Sequence, residues 1–436
     1  ICFVMSAKIQ PPQLPKGTRD FYPEAERVQQ YIFDTWRKVA EMFAYEAYEG
    51  PMFEHLDLFT GKSGDEIVSQ LYNFTDKGGR EIALRPEMTP TLARLVIQKG
   101  RELRKPFKWY SMPRLFRYEK AQKGRLREFF QLNMDIIGTD SIYAEADLLA
   151  AIATMLRLLG LKDENFVIGV SSRKLLATYL EEIGVENPAL VYPVLDKRLK
   201  IGPEAFAKAL ADANVSSEQV AKLDALMSCK TLDEVDALIS QEAAKNALNE
   251  MKELFNTLNA AGYADCVALD LSVVRGLAYY TGIVFEVFDR GKSMRAIAGG
   301  GRYDSLTEKL GGDRMPGVGF GMGDVVLADL LREYNLLPEM KQSVDFYIAS
   351  FTNDMQKIFT VAEQFRKFAT GEKYFAVSHP LSSMKMGKQM GEANGQGAKI
   401  VIYVDGDKAS EGSFEFKDLR DGSMHIGSFE EIVNAL

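Results

Sequence analysis

The chain has 436 residues, which favours two or three domains over one. Hydrophobic residues make up 46% and charged residues 26%, the balance of an ordinary globular protein, and no apolar run approaches the roughly 20 residues that span a bilayer. The net charge of −8 argues against a protein that coats nucleic acid with its whole surface, although it is compatible with a local basic patch.

The N-terminus and the cysteines bear on the cellular compartment. Residues 1–10 lack the charged-then-apolar pattern of a signal peptide, and Met5 is a candidate natural start. The three cysteines and three histidines are scattered, so neither a disulfide framework nor a zinc site is expected. A reducing cytoplasm is therefore the expected location.

The first part of the chain alternates helices with paired strands. Apolar residues at three- and four-residue steps predict a helix within residues 20–49, ended by Pro51. The Asp-Lys-Gly-Gly segment at 76–79 predicts a hairpin turn between strands at 70–74 and 81–84. The pattern also predicts an extended stretch at 53–58, helices at 89–99, 140–159 and 171–183, and strands at 107–118, 128–138 and 166–170.

The composition changes at residue 186. Residues 186–261 are short helical segments rich in Ala, Leu, Lys and Glu, typical of a helical insertion in a sheet-based domain. Strands at 267–274 and 283–288, a glycine-rich stretch at 299–323 and a helix at 325–334 follow. A separate α/β domain is then predicted, with strands at 345–350, 374–377 and 399–404 and helices at 356–368 and 382–394.

A cationic loop follows the strand that ends near Arg117. Five cations lie between Arg117 and Arg127, and a solvated hairpin tip is the simplest interpretation of such a charge run. Arg117, however, directly follows Leu115 and Phe116, where an unpaired guanidinium is costly. An arginine there indicates a carboxylate or phosphate partner, which its planar fork binds with two hydrogen bonds.

The strand at 128–138 has two chemically different faces. Because side chains alternate, the apolar residues at 130, 132, 134 and 136 share one face. Gln131, Asn133 and Asp135 share the other face, which suits the floor of a pocket for a small polar or cationic ligand. An ordinary half-exposed strand would show the same alternation, so both interpretations stay open.

Three further segments carry polar or glycine-rich patterns. Arg275 with Tyr279 and Tyr280 would place a charge and two hydroxyls near one turn, although paired tyrosines are common in cores. Glu87 and Thr89, at a strand-to-helix turn, could hold an ammonium group, or Thr89 could simply cap the helix. The glycines at 317, 319, 321 and 323 share one face of an extended segment, which lets a flat ring or another backbone approach.

Two segments only imitate nucleotide-binding fingerprints. No strand–helix unit opens at the glycines of 317–323, so they do not form a dinucleotide fingerprint. The residues at 61–63 (Gly-Lys-Ser) imitate the end of a P-loop, but Leu56 stands where its first glycine is required.

In their order, these segments resemble the class II aminoacyl-tRNA synthetases in their histidyl-specific version. The resemblance rests on LRPEMT at 84–89, FRYEKAQKGRLREF at 116–129, VVRGLAYYTG at 273–282, GGGRYD at 299–304 and GVGFGMG at 317–323, and it runs from about residue 16 to the end. It implies an α+β fold with a class II synthetase-type antiparallel sheet flanked by helices. The implied domains are a catalytic domain (1–185 and 262–337), a helical insertion domain (186–261) and a C-terminal α/β anticodon-binding domain (342–436).

The resemblance also implies roles for individual residues. Arg117 would hold the α-phosphate of ATP, and Arg275 would bridge that phosphate and the histidine carboxylate, which makes both catalytic. The implied histidine-binding residues are Glu87, Thr89 and Gln131 at the α-ammonium group and Asp135, Tyr279, Tyr280 and Tyr303 around the imidazole. The implied ATP-binding residues are Arg117, Glu119, Arg125, Gly319 and Gly321, with residues 122–125 reaching the nucleotide and the tRNA acceptor end and Mg²⁺ as cofactor.

Three positions depart from the family pattern. Asp135 stands where the family usually has glutamate, and Ala278 stands where aspartate is common. Val326 stands where motif 3 normally ends in an arginine that stacks on adenine. We expect ATP to bind nonetheless, with adenine against the glycine face of 317–323 and with Arg125 or Arg302 replacing part of the missing positive charge.

The function implied is that of a histidine–tRNA ligase, which activates L-histidine with ATP and transfers it to its tRNA. The expected partners are L-histidine, ATP and tRNA, in a cytoplasmic homodimer without membrane association. One alternative is a catalytically silent paralogue with a regulatory role, whose known form lacks the anticodon module; another is a sensing module, which would tolerate loss of Arg117 or Arg275. The C-terminal module and both arginines are present, which favours the ligase.

Overall fold

A computed structural model of the chain describes residues 12–60, 68–120, 122, 124–196, 198, 201–275, 279–291, 294–339, 343–368, 374–407, 412–434 and 436. The candidate start Met5, the P-loop-like residues 61–63 and Ala278 lie outside these ranges. The chain divides into two compact units, one that runs to Leu337 and one that begins at Pro338. Within the described ranges, no helix combines the length and the apolar character needed to cross a membrane.

The first unit alternates short strands with helices. Its strands are β1 (Glu46–Ala47), β2 (Phe53–His55), β3 (Tyr72–Thr75), β4 (Glu81–Leu84), β5 (Phe107–Ser111), β6 (Arg114–Phe116), β7 (Glu128–Ile137), β8 (Phe166–Ser172), β9 (Val267–Leu269), β10 (Ile283–Asp289), β11 (Ala298–Arg302) and β12 (Gly317–Gly323). Its helices are α1 (Pro23–Met42), α2 (Asp57–Thr60), α3 (Thr89–Lys99), α4 (Tyr143–Leu158), α5 (Arg173–Glu182), α6 (Pro188–Asp196), α7 (Pro203–Asp212), α8 (Ser217–Ser228), α9 (Leu232–Asp236), α10 (Glu242–Ala260), α11 (Leu306–Lys309) and α12 (Asp324–Glu333).

A large sheet organises the first unit. Among the described residues, nine strands form it in the order β1-β5-β7-β12-β11-β10-β8-β9, with β6 paired to β7. The pairs are antiparallel except β1–β5 and β8–β9, as the resemblance predicts for a class II catalytic sheet. One face is covered by helices, where Trp36 of α1 and Leu148 of α4 pack with Leu132 and Met134 of β7 in one core. The opposite face of β7 carries its polar side chains and is free to form a site.

The segment at 186–261 is helical, as its composition predicts, with α6 to α10 in its described part. Its last helix, α10, packs against α4 and α5 and buries Leu248, Met251 and Leu254 in the core shared with the sheet. These helices therefore belong to the same compact unit as the large sheet.

A smaller sheet has the order β2-β4-β3. The predicted hairpin joins β3 and β4, and the Asp76 carboxylate accepts the backbone N–H groups of Gly78 at 2.8 Å and Arg80 at 2.9 Å. Gly79 has a left-handed φ of +77°, which a glycine adopts without the steric cost of a side chain.

The first helix is shorter than the predicted range of residues 20–49. It ends at Met42, and Ala44 takes a left-handed φ of 58° that turns the chain into β1, which pairs in parallel with β5. Tyr45 lies between this turn and β1 and is buried in the main core. Pro51 therefore does not end the helix.

Two predicted strands are also interrupted. The strand expected at 107–118 breaks into β5 and β6 at Pro113, whose nitrogen cannot donate to a strand ladder. The strand expected at 267–274 ends at Leu269, because Asp270 begins a turn in which its carboxylate accepts the N–H of Ser272 at 3.2 Å.

The second unit has the predicted strand–helix alternation. Its strands are β13 (Val344–Ala349), β14 (Val377–Ser378), β15 (Ala398–Tyr403), β16 (Ser413–Asp418) and β17 (Met424–Ser428), and its helices are α13 (Met355–Lys367), α14 (Met386–Gly395) and α15 (Phe429–Asn434). The sheet order is β14-β13-β15-β16-β17, parallel around β13 and antiparallel from β15 onward. The β16–β17 hairpin and α15 were not predicted from the sequence.

Candidate active site

The polar face of the large sheet carries two connected cavities. A wide cleft of about 500 Å³ opens beside the loop after Arg117. A narrow pocket continues from it, and the two share Arg117, Gln131, Arg275 and Gly321 in their walls. The narrow pocket is lined by Glu87, Thr89, Arg117, Gln131, Asn133, Arg275, Tyr279, Tyr280, Gly299, Tyr303, Gly319, Phe320 and Gly321. The structure thus brings the predicted histidine-binding residues together, with Asp135 directly behind this wall.

The glycines of β12 make room for side chains of the pocket. A Cβ atom at Gly317 would lie 2.5 Å from the ring of Tyr303, and one at Gly321 would lie 2.6 Å from Cδ of Gln131. A Cβ atom at Gly319 would overlap the carboxylate of Asp135. The glycine face is therefore covered by polar side chains along most of its length, and our expectation that adenine lies against all of it is wrong.

The two predicted ATP-binding glycines lie in different places. Gly319 lines the narrow pocket and not the wide cleft, whereas Gly321 lines both. Gly323, at the end of the strand, has open space in the direction of a side chain and faces the wide cleft. Gly319 therefore belongs to the narrow pocket, which holds the predicted histidine-binding residues, and Gly321 lies where the two cavities join.

Asp135 and Tyr303 form a buried hydrogen-bonded pair. The Tyr303 hydroxyl donates to the carboxylate of Asp135 at 2.5 Å, and both side chains are buried. Burial raises the pKa of Asp135 to about 7, although the hydrogen bond from Tyr303 opposes the change. A carboxyl group that titrates near neutrality can both accept and donate a hydrogen bond, which suits the recognition of a titratable ring.

Glu87 and Tyr279 form a second buried pair. The Tyr279 hydroxyl donates to Glu87 at 2.6 Å, and burial, reinforced by the Glu87 charge, raises the pKa of Tyr279 well above its usual value. Tyr279 tilts against Tyr280 with ring centroids 5.2 Å apart. The acid and the two tyrosines are therefore fixed before any ligand arrives.

Arg275 is held in an uncommon backbone conformation. Its φ of 58° is left-handed, and Arg173 stabilises the turn by donating to the carbonyl oxygens of Val274 and Arg275. The Arg275 guanidinium forms a 2.5 Å ion pair with Glu286 and lies so close to Gly299 that a Cβ atom there would sit 2.5 Å from its central carbon. The ion pair with Glu286, the close approach to Gly299 and the turn at Arg275 together hold this positive charge at the junction of the two cavities.

Arg117 lies across the same junction. Its Nε donates to the carbonyl oxygen of Pro86 at 2.9 Å, and its guanidinium lies 5.3 Å from the centre of the Phe129 ring. Burial lowers the pKa of Arg117, and the nearby charges of Glu87 and Glu119 oppose that change. Glu119 itself forms a 2.7 Å ion pair with Arg125 in the wide cleft.

Arg302 does not lie where we expected it. Its guanidinium donates twice at 2.6 Å to Glu145, which is completely buried, and once at 3.1 Å to Asp304. Neither cavity wall includes Arg302. The expectation that Arg302 replaces the motif 3 arginine is therefore wrong, because this arginine neutralises a buried acid in the interior.

Three residues at the site were missed by sequence reasoning. Glu286 pairs with Arg275, Phe129 offers its ring in the wide cleft, and Arg295 lines that cleft close to Val326. The alternation of β7 places Phe129 on the same side as Gln131 and could have identified it. Glu286 lies on β10 and Arg295 in the turn before β11, both outside the segments that carry the family resemblance.

The described residues contain no cluster of three or more His, Cys, Asp or Glu side chains able to hold a metal ion. The wide cleft does include Glu119 and Glu286, each paired with an arginine. Mg²⁺ needs only one or two protein carboxylates when substrate phosphates supply other ligands. These residues fit an ion that arrives with a nucleotide better than a resident metal.

Comparison with known proteins agrees with the motifs. The sequence pattern of the family described as histidyl-tRNA synthetase matches residues 17–324. A histidine–tRNA ligase of Opitutus terrae is 40% identical over 410 residues, which cover 92% of this chain and 93% of the relative.

Solved structures show the same fold. A histidyl-tRNA synthetase from a Nostoc species has a TM-score of 0.79 at 24% identity, covering 97% of this chain and 99% of the other. A Bacillus halodurans protein described as an ATP phosphoribosyltransferase regulatory subunit/histidyl-tRNA synthetase has a TM-score of 0.72 at 24% identity, covering 91% of this chain and 99% of the other. At these identities the structures support the fold alone. From the sequence pattern and the relative together, the chain belongs to the histidyl-tRNA synthetase family.

Proposed function

We propose that the protein is a histidine–tRNA ligase that forms histidyl-adenylate from L-histidine and ATP and then transfers the histidyl group to its tRNA. The observation that carries the proposal is the meeting of Arg117 and Arg275 where a narrow polar pocket joins a wide cleft. Two anions, an amino-acid carboxylate and a nucleotide α-phosphate, can meet only where such positive charge is fixed in advance.

The narrow pocket is assigned to histidine. Glu87, Thr89 and Gln131 line it and are proposed to hold the α-ammonium group. Tyr280 and the Asp135–Tyr303 pair are proposed to surround the imidazole, with Tyr279 between the two groups. A site that hydrogen-bonds both imidazole nitrogens rejects ligands of similar shape far more strongly than an apolar pocket does. A ligand without those nitrogens would leave polar groups of the pocket buried without hydrogen-bond partners.

The reaction needs positioning and charge, and no side-chain nucleophile. A carboxylate oxygen of histidine attacks the α-phosphorus, the bond to the bridging oxygen of pyrophosphate breaks, and pyrophosphate leaves. Arg275 would bridge the carboxylate and the α-phosphate, while Arg117 would bind the α-phosphate from the other side of the junction. Fixed charges of this kind stabilise the negative charge that builds up on the phosphate oxygens without reorganisation.

The wide cleft is assigned to the rest of ATP. Glu119, Arg125 and Gly321 line it, as the family resemblance implies for ATP-binding residues. Mg²⁺, when bound with ATP, would neutralise phosphate charge, and Glu119 and Glu286 are the residues proposed to contact it. The loop at 122–125 would then lie between the nucleotide and the acceptor end of tRNA.

The remaining partners are tRNA and a second copy of the chain. The second compact unit would bind the anticodon region, and the enzyme would act as a homodimer in the cytoplasm. The small sheet supports a second copy as partner, since Phe53 and Phe74 are about half exposed on its strands.

The deciding experiment is ATP–pyrophosphate exchange with each of the twenty amino acids. We expect exchange with histidine alone, and transfer of histidine when its tRNA is added. Exchange with another amino acid, with histidine inert, would contradict the assignment of the pocket. A folded protein that exchanges with no amino acid would instead be the regulatory paralogue, which the fold alone does not separate from the ligase.

A further inference from the structure

Arg295 is an arginine of the wide cleft without an obvious structural role. It lies just before β11, its side chain is exposed toward the cleft, and it lines the wall together with Arg125 and Val326. No hydrogen bond or ion pair links it to any residue in the described ranges. The other cleft arginines differ: Arg117 is bound to Pro86, and Arg125 to Glu119.

Arg295 and Val326 border the same point of the cationic loop. A Cβ atom at Gly124 would lie 3.3 Å from Cγ2 of Val326 and 3.4 Å from Cδ of Arg295. Val326 is the position at which the family's motif 3 arginine would stand. A guanidinium therefore reaches this part of the cleft from the turn before β11, although the start of α12 does not supply one.

The electrostatics of Arg295 favour a ligand. Partial burial, followed by the like charge of Arg125, lowers the pKa of Arg295, and the charge of Glu119 opposes the change. An electron-rich partner would relieve this repulsion. The surrounding apolar wall, which includes Leu126, Val326 and Met294, suits a flat aromatic base better than a free phosphate.

We propose that the Arg295 guanidinium packs against the adenine ring of bound ATP and so replaces, from the turn before β11, the missing motif 3 arginine. The inference rests on the proposed function for the identity of the nucleotide. Arg295 is a positioning residue in this assignment, because the reacting atoms lie at the junction with the narrow pocket. Arg302 is bound to buried Glu145, and Arg125 is bound to Glu119. Both are therefore less available to adenine than Arg295 is.

The test compares Arg295→Ala with Arg314→Ala. Arg314 is an exposed arginine outside both cavity walls, paired with Asp140 at 3.2 Å, and serves as the matched control. Calorimetry measures the Kd of AMP and of a non-hydrolysable ATP analogue, and exchange kinetics measure KM for ATP and kcat. We expect Arg295→Ala to weaken both nucleotides by roughly tenfold, as for the loss of one cation over a ring, with kcat nearly unchanged. The control should match the wild type.

Two results would overturn the inference. Wild-type affinity of Arg295→Ala for both nucleotides would remove the residue from the site. Weakening of the ATP analogue without weakening of AMP would place the guanidinium on the terminal phosphates and not on adenine. If the wild type binds nucleotide through Arg295 but exchanges with no amino acid, the proposed function fails while this inference stands.

Two further variants sharpen the test. Adding Val326→Arg to Arg295→Ala should restore nucleotide affinity, because position 326 borders the same space; a folded double variant with no recovery would count against the shared location. If thermal melting shows that Val326→Arg unfolds the protein, Arg295→Lys is used to test whether the guanidinium stacks on adenine. Lysine keeps the charge without the planar surface, so we expect several-fold weaker binding, and wild-type binding would contradict stacking.

Discussion

Replacing Asp135 with asparagine should make the protein more stable at pH 8 and less able to use histidine. Asp135 is buried beneath β12 and accepts a hydrogen bond from Tyr303. Burial raises the pKa of its carboxyl group from 3.8 to about 7, so ionisation of the folded protein at neutral pH is costly. Asparagine has nearly the same shape and does not ionise, and it therefore avoids this cost.

The sign and size of the effect follow from proton linkage. Between pH 3.8 and about 7 the folded protein holds a proton on Asp135 that the unfolded chain has released, so the free energy of unfolding falls as pH rises through this window. A shift of roughly three pKa units at about 1.4 kcal/mol each corresponds to about 4 kcal/mol. The loss is complete above pH 7, and it is absent below pH 3.8, where both states are protonated.

Urea unfolding of the wild type and of Asp135→Asn, without histidine, measures the difference from pH 4 to pH 8. The other ionisable groups are common to both proteins and cancel in the subtraction. We expect the advantage of the variant to grow from near zero at pH 4 to a few kcal/mol at pH 8 and then to level off. A difference that stays constant over this range would refute the assignment of a raised pKa to Asp135.

The activity of the same variant gives a second, independent measurement. Asparagine keeps one carbonyl oxygen, but it replaces the other carboxylate oxygen with an NH2 donor and removes the negative charge. The imidazole N–H therefore loses its charged acceptor, and KM for histidine should rise by about 10²-fold, an amount typical of a mismatched buried polar contact. KM for ATP should stay nearly unchanged. A variant that is both more stable and fully active would show that Asp135 has no part in recognition.

Three further predictions concern other parts of the chain. Gly321→Ala should reduce kcat/KM for histidine by about 10²-fold in the exchange assay, because a Cβ atom there lies 2.6 Å from Gln131 and must displace it. Gly202→Ala is the control and should behave as wild type, since residue 202 lies in neither cavity wall and a Cβ atom there meets open space. Arg302→Ala should lower the free energy of unfolding by about 3–5 kcal/mol, measured by urea unfolding, because it leaves buried Glu145 unpaired; a fully stable variant would contradict this reasoning. Deleting residues 338–436 should spare histidine activation but sharply reduce transfer to tRNA, and a folded truncated protein that charges tRNA normally would give the second unit another role.

The alternation of β7 was predictable because it depends on one strand alone. Period-two spacing separated Leu132 and Met134 from Gln131 and Asp135, and the structure places the first pair in the core and the second pair at the pocket. The glycine spacing of β12 predicted a face without side chains in the same way. What covers that face was not predictable, since Tyr303, Asp135 and Gln131 reach it from β7 and from the end of β11.

Boundaries were less predictable than elements. The first helix was expected to continue toward Pro51, but the left-handed residue Ala44 turns the chain after Met42 into β1, which pairs with β5. The break between β5 and β6 was predictable from the proline at 113, because a proline lacks the N–H group that pairs with a neighbouring strand. The turn at Ala44 gave no such signal, since alanine is not a residue that favours a positive φ.

The ion-pair partners of three arginines show why a motif alone does not identify a site residue. Arg302 belongs to the family motif GGGRYD, yet its partner Glu145 is completely inaccessible to water, and exchanging that partner for a ligand would leave a buried charge. Arg275 has a partner, Glu286, whose side chain is 23% exposed, so a substrate anion can compete for the guanidinium at a smaller cost. Arg295 lies outside every motif we recognised, but it faces the cleft without an ion pair among the described residues. Burial of the carboxylate partner, which depends on contacts between distant segments, thus separates a structural arginine from one that can bind a ligand.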